Sequence, residues 1–145
     1  MKTVLHVMLA VLVMNLVACS VGGPNKKIRA ELAAMRYPET APRGSDLDIL
    51  TRGKKSGYLR LTNRTPVNYQ NVDLWLNQQY VAHMKEIKIA SGGQTMSVPL
   101  AHFINRHGES FPVGGFLTPD KGFPVVQAEL FDPATGQRHR LLVRR

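Results

Sequence analysis

Four histidines lie beyond the first twenty residues: His83, His102, His107 and His139. One of them, His107, has Glu109 and Ser110 as near neighbours. A metal site or a hydrolytic relay would be assembled from such side chains, but the spacing supports neither. No HExxH pair occurs, and no clustered carboxylates accompany the histidines at ligand spacing. No GxSxG elbow frames Ser110, and residues adjacent in sequence rarely form a relay. The glycine pairs Gly22-Gly23, Gly92-Gly93 and Gly114-Gly115 match neither phosphate-binding loop and read as turns. The expectation is a non-enzymatic chain with no catalytic residues, no metal and no cofactor. A minor enzymatic alternative rests on His107 within the stretch 101–124.

Binding chemistry has more support. The last strand places Arg138, Arg140 and Arg144 on one face at period two, opposite Leu141 and Val143. Three guanidinia in line suit phosphate or carboxylate groups. The plainer role is pairing with Glu129, or guarding an edge strand. Tyr58 and Trp75 fall on the polar side of their strands, with Tyr80 as a further candidate, and an outward aromatic set suits a partner or glycan. Cross-strand packing is the competing use. The irregular stretch 101–124 displays Arg106, His107 and Glu109 among five apolar residues, Phe103, Ile104, Phe111, Phe116 and Phe123. Long loops in compact domains often carry function.

The elements that must position these groups begin with a leader. Residues 1–18 hold one lysine after the initiator and then a run of Val, Leu and Met, too short to span a bilayer comfortably. The only cysteine of the chain closes that run. Leu16-Val17-Ala18-Cys19 resembles the lipobox of bacterial lipoprotein precursors. The resemblance covers residues 1–19 and implies a diacylglycerol thioether on Cys19, cleavage just before it, and acylation of the new amino terminus. A thiolate is the nucleophile such alkylation needs. Two or three acyl chains anchor stably where one is marginal. Ser20, in place of a retention-type aspartate, implies the outer membrane if the host is Gram-negative.

Residues 19–44 read as the lipidated cysteine and a tether containing a short helix over IRAELAAMR, stopped by Tyr37-Pro38. Lys26, Lys27 and Arg29 lie near its start, within reach of anionic headgroups. Residues 45–145 change to period two: Leu59/Leu61, Val72/Leu74/Leu76, Ile87/Ile89, Met96/Val98/Leu100, Val126/Ala128/Leu130 and Leu141/Val143. Turn chemistry separates the runs, as at Asn77-Gln78-Gln79 and Asp132-Pro133-Ala134-Thr135-Gly136. The pattern predicts an all-β domain, a small antiparallel immunoglobulin-like sandwich of about seven strands. That architecture implies no activity. A formal charge of +9 favours acidic partners. The expected partners are a membrane, through the lipid on Cys19, and an envelope protein or acidic polymer. An exported chain disfavours nucleic acid.

Overall fold

The computed structural model describes residues 23–53, 57–113 and 123–144. The leader 1–18 and Cys19 lie outside the described residues, as do 114–122 of the long loop. The elements are α1 (Lys26–Ala34), β1 (Leu47–Gly53), β2 (Tyr58–Asn63), β3 (Tyr69–Leu76), β4 (Tyr80–Ile87), β5 (Met96–Pro99), β6 (Ala128–Asp132) and β7 (Gln137–Arg144). The all-β expectation holds. The strands form one seven-stranded sheet in the order β4-β3-β6-β7-β1-β2-β5. One ladder departs from the antiparallel expectation: β1 and β7 run parallel, with a register shift between Leu47 and Leu50.

Apolar residues from all seven strands meet in a single cluster, so the sheet bends around one core, nearly into a barrel. Ile49, Leu59, Leu61, Val72, Leu74, Leu76, Leu130 and Leu141 are each 2% exposed or less. Each such side chain contributes roughly 1.5–3 kcal/mol on burial. The two end strands are joined across the gap. Ile104, just beyond β5, exchanges both backbone hydrogen bonds with Val81 of β4, while Ile89, beyond β4, bridges to Asn63 at the end of β2. Phe103 and Phe111 are sealed beneath this closure and pin the loop to the core, whereas Phe123 is 60% exposed and Phe116 lies outside the described residues. Asn71, at φ 51, interrupts the alternation of β3. Tyr69 and Val72, three residues apart, therefore both pack on the core.

Two predicted core positions differ. Val126 and Ile89 are 49% and 39% exposed, because β6 starts only at Ala128 and β4 ends at Ile87.

The segment expected to be a tether is, from Asn25 onward, part of the domain. Asn25 Oδ1 accepts from Ile28 N at 2.9 Å and caps α1. Arg36 Nη1 donates to the carbonyls of Ala33, Ala34 and Met35 at the other end, a favourable place for a cation. Leu32 is buried against the outer face of the sheet, with Trp75, Val81 and Ile104. Residues 35–46 then run as a strap to β7, where Arg138 N donates to Pro42 O and Gly44 N donates to Arg138 O. The reason is local: Trp75, Val81 and Phe131 make the outer face of β3, β4 and β6 apolar, and α1 with its strap covers it.

Candidate functional site

Between α1, the β3–β4 turn and the loop after β5 lies a cleft of about 600 Å³, within the usual range for a small-molecule site. Trp75, Val81, Ile104 and Leu32 contribute apolar lining from the buried outer-face cluster. Polar side chains come from three separate segments: Arg36 and Glu39 from the strap, Gln78 and Gln79 from the turn, and Asn105, Arg106 and His107 from the loop.

Each segment is held by its own backbone chemistry. Asn77 and Gln78 both take positive φ, at 51 and 60, the pattern of a type I′ turn. The Asn77 side chain fixes that turn to the stretch before β6, donating to Pro124 O and accepting from Val126 N and Gln127 N. In the loop, Asn105 Oδ1 accepts from the amides of His107 and Glu109, and its Nδ2 donates to Glu109 Oε2. Gly108 supplies the left-handed residue, at φ 77. Arg29 of α1 ties helix to loop through Gly108 O at 2.9 Å. Arg106 Nε donates to His107 Nε2 at 3.1 Å, holding the guanidinium beside the imidazole.

Beneath the strap is a polar trio, with Glu129 buried and Tyr37 and Arg138 half-buried. Tyr37 donates its hydroxyl to Glu129 Oε2 and accepts from Arg138 Nη1 at 2.6 Å. Arg138 and Glu129 lie 3.9 Å apart. Burial pushes the Tyr37 phenol above its ordinary value, the Glu129 carboxylate adds to the rise, and Arg138 opposes it. The Tyr37 ring meets Trp75 edge-on, centroids 5.5 Å apart.

One atom of the site stands out chemically. Among the described residues, Trp75 Nε1 is the sole buried side-chain nitrogen or oxygen without a hydrogen-bond partner. Leaving such a donor unpaired costs about 1–3 kcal/mol.

The expected site residues distribute as follows. Arg106 and His107 line the cleft; Glu109 does not, its carboxylate being spent on Asn105. Trp75 does lie on the side opposite Val72, Leu74 and Leu76, but it is 4% exposed, because α1 and Tyr37 cover it. An exposed Tyr58–Trp75 platform is therefore not formed; β2 and β3 are not sheet neighbours, and Tyr58 is half-buried. Tyr80 is buried too, in edge contact with Phe111. Arg138 is committed to Glu129, Tyr37 and Ala41 O, the pairing role, while Arg140 and Arg144 stay exposed. His107, on which the enzymatic alternative rests, reaches the cleft, and His102 does not. No group of three or more metal-ligating side chains occurs among the described residues.

Sequence reasoning missed Arg36, Tyr37, Gln78 and Gln79. The strap residues looked like tether and the glutamines like an ordinary turn. The pair Asp73–His83 was also missed: it lies 2.8 Å apart in a second cleft beside Glu31 and Met35. Asp73 carried a signal, since it is an acid inside an apolar strand.

Comparison of the chain with protein-family models, curated proteins and solved structures finds no match in any of the three.

Proposed function

We propose that this chain is a bacterial envelope lipoprotein, joined to a membrane through Cys19, that displays a small immunoglobulin-like β-sandwich as a non-enzymatic binding module. Its ligand site is the cleft over Trp75. Support for the sandwich comes from the strand order: β4-β3-β6-β7 and β1-β2-β5 form two faces around the core, with the parallel β1/β7 ladder at their seam. Support for the anchor is the Leu16-Val17-Ala18-Cys19 motif closing an apolar leader, and Ser20 favours the outer membrane of a Gram-negative host.

The cleft itself carries the binding reading: apolar walls over Trp75 with polar side chains converging from three separate segments. Arg36 and Arg106 on the lining favour a carboxylate, and the amide side chains of Gln78, Gln79 and Asn105 suit further oxygens. An oxygen-rich molecule with a carboxylate, of the size of a short saccharide or peptide end, fits these demands. Calorimetric titration of the full chain with carboxylated saccharides and short peptides tests this. Saturable binding that weakens at least tenfold in both Trp75→Phe and Arg106→Gln is expected; binding indifferent to both substitutions refutes the cleft as the site. Fractionation of cells carrying Cys19→Ala tests the anchor. Normal maturation and membrane retention of that variant would remove the lipid attachment.

A further inference from the structure

Arginines that stand far apart in the sequence are brought into one row by the register of the sheet. Arg52 of β1 pairs with Arg60 of β2 on one side and with Arg144 of β7 on the other. All three are exposed and lie on the outer face, since their neighbours Thr51, Leu59, Leu61 and Val143 turn toward the core. Adjacent strands lie about 4.8 Å apart, and like charges placed directly opposite one another weaken a sheet. No carboxylate among the described residues pairs with Arg52, Arg60 or Arg144. Protection of a sheet edge does not account for the row, because β1, β2 and β7 are all interior strands.

We propose that this arginine row is a docking surface for an anionic phospholipid bilayer. The charge is complementary to lipid phosphates, which a guanidinium binds with paired donors. Apolar side chains lie on or close to the same surface: Leu142, 44% exposed, is two residues from Arg144 on the same face of β7, and Val113, 45% exposed, lies beside Gly57. Half-buried Tyr58 is on the same face of β2 as Arg60. Arginine beside exposed leucine and valine and a half-buried tyrosine suits a headgroup boundary better than a soluble polymer. The chain also enters the domain at this end. Gly23 sits against Ala101 O, Leu100 N donates to Gly57 O at 2.8 Å, and Tyr58 pairs with Pro99.

The proposal rests on the lipid anchor for its geometry: Cys19 precedes Gly23 by four residues, a leash of at most about 14 Å. Such a leash holds this end of the domain against the membrane.

Co-sedimentation of the chain from residue 19 onward carrying Cys19→Ala, free of the apolar leader, measures the surface without the anchor, and so stands or falls apart from it. Mass spectrometry of Cys19 in the natural protein reads the anchor separately. Binding to vesicles of mixed phosphatidylglycerol and phosphatidylcholine, not to phosphatidylcholine alone, is expected, weakening as salt rises. Arg52→Gln, Arg60→Gln and Arg144→Gln together should lower partitioning on the order of 100-fold. Lysine at all three positions should retain most of it, which separates charge from folding. Lys85→Gln, exposed on β4 and away from the row, should change nothing. Equal partitioning of the triple glutamine variant overturns the proposal, as does capture by soluble polyphosphate without binding to anionic vesicles.

Discussion

Replacing Tyr37 by phenylalanine removes one oxygen and leaves the ring that packs edge-on against Trp75. The lost hydroxyl bridges Glu129, 5% exposed, and Arg138, whose side chain is 22% exposed. Each of its two hydrogen bonds involves a charged group, worth about 1.5–3 kcal/mol. The two charges stand 3.9 Å apart and can close part of that gap once the oxygen is gone. A net loss of about 1.5–3 kcal/mol follows, less than the sum of the two bonds. With a urea slope of about 2 kcal/mol per molar, the unfolding midpoint falls by roughly 1 M. Trp75 is the single tryptophan of the chain and lies against Tyr37, so its fluorescence reports the transition directly.

The same pair of proteins has a pH arm. The phenol is held above its ordinary value in the folded chain, chiefly by burial and then by Glu129. The unfolded chain therefore gives up this proton near pH 10 while the folded chain keeps it. The stability conferred by the neutral phenol is complete below about pH 10 and is lost as the pH rises through the folded value. Wild type should lose stability above pH 10 more steeply than Tyr37→Phe, which keeps every other titrating group. An unchanged urea midpoint, or parallel alkaline decline in the two proteins, refutes the clamp.

Two further substitutions probe the cover and the closure. Leu32→Asp places an unpaired charge where a 5%-exposed leucine packs, and should detach α1 at a cost of about 3–5 kcal/mol to the docked state. A red shift of Trp75 emission with strand circular dichroism retained is the expected readout; a shielded Trp75 would contradict the docking. Asn63, 2% exposed, donates to Val67 O and Ile87 O and accepts from Thr65 N and Oγ1. Asn63→Ala should cost about 2–4 kcal/mol in thermal or urea unfolding, because it orphans several of these groups at once. A loss under 0.5 kcal/mol would show that solvent replaces them.

The alternation of Leu59/Leu61, Val72/Leu74/Leu76, Met96/Val98 and Leu141/Val143 is enough, without coordinates, to define strands and to name much of the core. A strand's side-chain period is a property of a few consecutive residues, and the β-turn residues between runs are equally local. Whether an outward side chain stays in water is decided elsewhere. Trp75 faces out as its strand period dictates, yet a helix some forty residues earlier covers it. The sequence of α1 shows only that a helix can form, not what its lone buried leucine will meet. Register between strands made the largest difference. Arg138, Arg140 and Arg144 are aligned by period alone, but Arg138 is drawn into a part-buried trio with Tyr37 and Glu129. Arg52 and Arg60 join Arg144 only because β1 lies between β2 and β7. Pairing of distant segments depends on the free energy of the whole packed core, and no local pattern along one strand carries that information.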